Sequence, residues 1–151
     1  MSIKKEKLTI ILVDDMPDEH LIFNKVLQSI DFVQIDLISF DSGAKLENFL
    51  ASDAKIFPHI IFLDMNMPEL NGMHCLNNIR LNPSYMETVV AMYSVISDEQ
   101  IVSQCLGAGA NIFITKPREL ETLKSTLEEV LKSCIQYHSM ALNFETFVRT
   151  F

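Results

Sequence analysis

A doubly wound α/β sandwich, (βα)5 with a five-stranded parallel sheet in the order 2-1-3-4-5, is the fold this sequence predicts. Three observations carry that expectation. Five short apolar runs recur along the chain, helical patterns separate them, and no linker, repeat or low-complexity segment breaks the alternation. The length of 151 residues is that of one ordinary domain, and 48% hydrophobic with 21% charged residues suffices for one buried core.

The first run, "LTIILV" (Leu8 to Val13), is almost purely apolar, as suits a parallel strand covered on both faces. Pro17 then stands where a helix begins, at a first-turn position that needs no N–H donor. Phe23, Val26, Leu27 and Ile30 continue at helical spacing. "VQIDLIS" (Val33 to Ser39) is the second strand, and Leu46, Phe49 and Leu50 mark the second helix. "HIIFL" (His59 to Leu63) is the third strand, followed by a helix carrying Leu76 and Ile79. "TVVAMYS" (Thr88 to Ser94) is the fourth. The next helix opens with Ser97 and Gln100 at capping-box spacing and ends near Gly107 to Gly109. "NIFIT" (Asn111 to Thr115) is the fifth strand. Pro117 is expected to start the last helix, whose stripe is Leu120, Leu123, Leu127, Val130, Leu131 and Cys134. These elements divide the chain into a domain over 1–136 and an extension over 137–151.

Composition narrows the function. With 20 acidic against 12 basic residues the net charge is −8, so the surface repels phosphate backbones and anionic lipid. Direct nucleic-acid binding and membrane association are not expected. Cys75, Cys105 and Cys134 form no CxxC pair and read as buried thiols of a reducing compartment. The apolar run after "MSIKK" is too short for a signal peptide, and no segment has transmembrane length, so a cytoplasmic protein is expected. His20, His59, His74 and His138 lack metal-ligand spacing and read mostly as surface, with His20 and His74 within reach of the acidic patch described next.

In open parallel sheets ligands bind at the carboxyl ends of the strands. Strand one ends in Asp14 and Asp15, strand three in Asp64, strand four in Ser94 and strand five in Lys116. The expected topology therefore gathers three carboxylates, a hydroxyl and an ammonium. Carboxylates this close repel one another unless protonated or bridged by a cation, and a hard divalent ion such as Mg²⁺ takes oxygen ligands. Metal, lysine, hydroxyl and a free carboxylate oxygen together suit phosphoryl transfer to the carboxylate. Each residue also has a plainer account. Asp14 or Asp15 would cap the first helix, Asp64 would be a loop acid, Ser94 a turn cap, Lys116 a solvated lysine and Phe113 core.

The elements "ILVDDMPDE", "FLDMNMPELNG", "MYS" and "FITKP", in this order and spacing, resemble the receiver domains of two-component response regulators, over Leu8 to about Gln136. The resemblance implies a flavodoxin-like fold and a Mg²⁺-dependent phosphoacceptor. It makes Asp64 the acceptor, Asp14 and Asp15 metal ligands with Asp64, and the backbone carbonyl of Asn66 a further ligand. Ser94 and Lys116 would contact the phosphoryl group, and Ser94 and Phe113 would be the switch residues. Pro68 and Gly72 match the turn after the acceptor. The implied protein is a stand-alone, chemotaxis-regulator-like receiver. It would take its phosphoryl group from a sensor histidine kinase or histidine phosphotransfer protein and act by binding a downstream target.

Some features depart from the simplest pattern. Val95 and Ile96 put bulk beside Ser94, which is expected to narrow the pocket and exclude hydrolytic water, and Phe113 lacks the hydroxyl of a tyrosine. In the extension, Phe144, Phe147, Val148 and Phe151 recur at helical spacing; they either pack on the domain or form a homodimer or partner contact. Two rival functions belong to other classes. A flavodoxin-like electron carrier needs a phosphate-binding loop after strand one, where this chain has "DDMPDE". An aspartate-nucleophile phosphohydrolase needs an acid two residues after its nucleophile, where this chain has Asn66, which cannot transfer protons at neutral pH. A degenerate receiver is hard to square with an intact acid, hydroxyl and lysine set.

Overall fold

The structure is a computed structural model describing residues 5–52, 55–139 and 149–151. Strands β1 (Glu6–Val13), β2 (Val33–Phe40), β3 (Ile60–Asp64), β4 (Val89–Ser94) and β5 (Ile112–Thr115) alternate with helices α1 (Pro17–Gln28), α2 (Gly43–Ala51), α3 (Gly72–Leu81), α4 (Glu99–Gly107) and α5 (Leu120–Ser139). A two-residue strand, β6 (Arg149–Thr150), follows. All pairings are parallel and the order is β2-β1-β3-β4-β5-β6. The expected five-stranded order is thus present, with a sixth strand added at the β5 edge.

Strand periodicity divides the core in two. Ile10, Leu12, Ile60, Phe62, Ala91, Tyr93, Ile112 and Ile114 face α1 and α5, where Phe23, Leu27, Leu127 and Leu131 close over them. The alternate residues Ile11, Val13, Ile61, Leu63, Val90, Met92 and Phe113 face α2, α3 and α4, meeting Leu46, Leu76, Ile79 and Cys105. Period two in the strands and 3.6 in the helices make both layers continuous. Phe23 sets its ring edge-on to Phe62 and Tyr93, at 4.9 and 5.9 Å. Burying such a ring contributes roughly 1.5–3 kcal/mol, and here it also fixes α1 against the strands that carry the site.

Several local expectations change. Pro17 does open α1, but neither Asp14 nor Asp15 caps it; the cap position is Met16, which makes no side-chain cap bond. Asp98, not Ser97, caps α4 by accepting from the Ile101 N–H at 2.9 Å. Pro117 lies outside any helix, three residues before α5 begins, because the chain must first carry Lys116 across the end of the sheet. At the other end α5 runs to Ser139, past the boundary at 136, so Tyr137 and His138 belong to it. Phe144, Phe147 and Val148 lie outside the described residues; Phe151 follows a strand rather than a helix.

The turn from Asp64 to α3 is the tightest feature that positions the site. Glu69 takes a left-handed φ of 66°, and the Gly72 N–H donates to the Met65 carbonyl at 3.2 Å. A Cβ at Gly72 would sit 2.4 Å from the Asp64 carbonyl oxygen, a contact with main chain that no rotamer relieves. Only glycine lets α3 start this close to the end of β3. Gly72→Ala is expected to destabilise the fold by about 2–3 kcal/mol, read as a lower urea midpoint with an unchanged slope.

Candidate functional site

β1 and β3 are paired with Val13 opposite Leu63, so Asp14 and Asp64 leave adjacent strands at the same height. Asp64 pairs with Tyr93, which puts Ser94 at the end of the next strand, and Ser94 pairs with Thr115 immediately before Lys116. The Lys116 N–H closes this end by donating to the Ser94 carbonyl at 2.7 Å. Asp14, Asp64 and Ser94 are buried although polar, and Asp15 is half-buried. Carboxylate oxygens of Asp14, Asp15 and Asp64 lie within 4.8 Å of one another.

Backbone donors aim these acids. The Met16 N–H donates to Asp14 Oδ1 at 3.0 Å and the Asn66 N–H to Asp64 Oδ1 at 3.2 Å. Lys116 Nζ stands 3.2 Å from Asp14 Oδ2 and 3.6 Å from Asp64 Oδ1. The Asp64 carboxyl is pushed up to about 6, first by burial and then by the charges of Asp14 and Asp15, with Lys116 and the Asn66 N–H pulling the other way. For Lys116, burial draws the ammonium down, but Asp14 and Asp64 outweigh it and its proton is held above the usual lysine range. One ammonium among three carboxylates leaves an excess of negative oxygen ligands, a donor set that fits a hard divalent cation.

The sequence-predicted residues come together with differences in role. Ser94 Oγ accepts from the Ile96 N–H at 3.0 Å, so the turn-capping account holds alongside the site position. Phe113 is buried in the core on the α4 side. Asn66 is exposed and brings its amide, as described, to Asp64. Val95 and Ile96 are exposed beside Ser94, at 68% and 47%.

Two contributors are new. Lys116 Nζ lies 4.9 Å from the centroid of the Tyr93 ring, so a buried aromatic face helps hold the cation. The run "VVAMYS" marks Tyr93 as strand core, and only the register with Asp64 reveals this second use. His20, expected mostly at the surface, is half-buried and its Nε2–H donates to the Asp14 carbonyl at 2.5 Å. Its spacing of six residues from Asp14, across the start of α1, is the signal that could have placed it. His74 instead pairs with Glu47 at 3.4 Å, and His59 and His138 contact each other at the opposite end of β3.

Comparison with known proteins agrees with this geometry. The response regulator receiver domain family matches residues 10–128, and the chain belongs to that family. Among its relatives, the chain is 26% identical over 125 residues to a probable chemotaxis protein CheY of Rhizobium etli, covering 83% of this chain and 93% of that protein. It is 30% identical over 131 residues to a protein-glutamate methylesterase/protein-glutamine glutaminase of Trichodesmium erythraeum, covering 85% of this chain but only 36% of that protein. The Mn²⁺-bound response regulator Rcp1 shares the fold at a TM-score of 0.72 and 24% identity, over 86% of this chain and 92% of that one. The expected doubly wound, flavodoxin-like fold is therefore the observed one. Among the described residues no helix is long and apolar enough to cross a membrane.

The raised proton affinity of Asp64 has a consequence for stability in metal-free solution. The fold binds this proton more tightly than the unfolded chain does, whose carboxyl titrates near 3.8. Stability is thus greatest below that value and is lost as pH rises through about 6. With chelator present, Asp64→Asn is expected to stabilise the protein at pH 8 by about 2–3 kcal/mol and to change little at pH 3.5. Paired urea titrations at the two pH values check this.

Proposed function

We propose that this protein is a phosphoacceptor: Asp64 takes a phosphoryl group from a phosphohistidine of a sensor kinase or phosphotransfer protein, and the phosphorylated domain binds a downstream protein. The observation that carries this reading is Asp64 itself, buried at a strand end between Lys116 and two further carboxylates. An Asp64 oxygen attacks phosphorus. The O–P bond of an acyl phosphate forms as the bond to the donor nitrogen breaks, its electron pair leaving with the imidazole. A carboxylate held near 6 is a more basic nucleophile than a solvated aspartate and is still ionised at neutral pH.

Asp14, Asp15 and Asp64, with the backbone carbonyl of Asn66, are the residues we assign to Mg²⁺, which when bound supplies charge neutralisation for the transferred group. Lys116 provides the remaining fixed positive charge, and Ser94 and Phe113 are the residues assigned to the switch between states. The kinship with chemotaxis regulators supports a cytoplasmic protein that signals by protein binding, and the net charge of −8 favours partners with basic faces over nucleic acid.

Incubation with Mg²⁺ and a small phosphodonor is expected to raise the intact mass by one phosphoryl group in wild type and not in Asp64→Asn. No uptake by wild type would overturn the reading. Ile96 is half exposed on the loop after Ser94, where its apolar side chain shields the pocket from water. Ile96→Glu and Ile96→Ala are expected to shorten the lifetime of phospho-Asp64 about three- to tenfold; an unchanged decay in both variants removes Ile96 from this role.

A further inference from the structure

β5 is only four residues long and would be the edge of the sheet without residues 149–151. Their docking is a parallel strand addition. Ile112 pairs with Arg149 and Phe113 with Thr150, while the Phe151 N–H donates to the Phe113 carbonyl at 2.9 Å. The Thr115 N–H donates to the Phe151 carbonyl at 3.2 Å. These bonds satisfy backbone groups that an edge strand otherwise presents to solvent. Both faces of the added strand have partners. Phe151, half-buried, packs on the core layer shared by α1 and α5. Thr150 lies over the opposite layer, in a groove of about 400 Å³ lined by Phe113, Thr115 and, from α4, Val102 and Ser103. A strand this short, held by so few bonds, belongs to the least stable part of a fold.

The same bonds bear on the acid site. Thr115 is tied through its N–H to Phe151, just after β6, and the next residue, Lys116, is tied to β4 through its own. The backbone that carries the Lys116 ammonium to Asp14 and Asp64 is therefore clamped from both sides.

We propose that the β5 edge is a strand-docking surface, filled reversibly in cis by residues 149–151, and that this docking positions Lys116 over Asp64. Residues 149–151 thus act as positioning residues, and the effect on phosphoryl uptake rests on the role of Asp64 proposed above. An extended segment with an aromatic residue in the place of Phe151 is the ligand this edge fits.

The test uses the full chain and Phe151→Pro, which removes the ring and the donated hydrogen bond together, with Phe151→Ala as the milder variant. Amide exchange at Thr115 is expected to be slow in the unmodified chain and about tenfold faster or more in Phe151→Pro, with the β1 amides unchanged. Adding a synthetic peptide of residues 140–151 is expected to restore protection. The maximal rate of uptake from a small phosphodonor at saturating Mg²⁺ is expected to fall about three- to tenfold while the β1 amides keep their protection; a general loss of structure would expose those as well. Docking is overturned if Thr115 exchanges at solvent rates in the unmodified chain or the peptide fails to protect it. The positioning role is overturned if faster Thr115 exchange leaves the uptake rate unchanged. An unmodified chain that takes up no phosphoryl group overturns the Asp64 reading and the positioning role with it, while the exchange and peptide results still decide docking on their own.

Discussion

Mutual repulsion of three carboxylates at the ends of two adjacent strands is the constraint around which this structure is organised. At about 4 Å and an effective dielectric near 20, each like-charged pair costs on the order of 4 kcal/mol before screening. Lys116, 3.2 Å from Asp14 and 3.6 Å from Asp64, offsets part of that cost. It can do so only because β5 lies two places from β3 with Ser94 between them, and because Tyr93 offers its face beneath the ammonium. Strand order, register and the buried aromatic are all needed to deliver one cation to one place.

Rigid posts and looser loops divide the remaining work. The strands bearing Asp14, Asp64 and Ser94 are buried on both faces, so their ends are fixed by packing. The short connections after them supply main-chain donors, Met16 N–H to Asp14 Oδ1 and Asn66 N–H to Asp64 Oδ1, that fix the orientation of each carboxylate. Gly72 lets α3 close on β3 without pushing Asp64 aside. Val95 and Ile96, exposed on the loop after β4, are the parts of the site least constrained by the core. Access to the pocket can therefore vary while the charged residues stay in place.

Much of this was legible in the sequence because it follows from period and position. Short apolar runs marked the five strands, the polar residues at four of their ends marked the site, and the doubly wound order brought those ends together. What was not legible depends on contacts between distant segments. Nothing local marks Tyr93 as a partner of Lys116, twenty-three residues further on. Helix starts were misread where two signals competed: Asp98 displaced Ser97 as a cap, and Pro117 serves the passage of Lys116 rather than the first turn of α5. Phe151 was read with a helical period, yet strand pairing with β5 decides its place, since unsatisfied groups on an edge outweigh a weak local preference.

On the reading of Asp64 as phosphoacceptor, proton, metal and phosphoryl group would all bear on the same few oxygens of Asp14, Asp15 and Asp64, and their binding would be coupled. A proton on Asp64 relieves the repulsion that burial and Asp14 create, which is why the carboxyl rises to about 6. A divalent cation at these oxygens would relieve the same repulsion without a proton on Asp64, so it would compete with the proton and bind more tightly as pH rises. Lys116 cannot substitute for either, because a single charge already shared between Asp14 and Asp64 leaves Asp15 without compensation. The fold thus holds Asp64 in a state that is costly when bare and that a cation bound at these oxygens would relieve. In the proposed phosphoacceptor role, that difference, built from one strand order and one lysine, would ready Asp64 for an incoming anionic group that a bare acidic patch would repel.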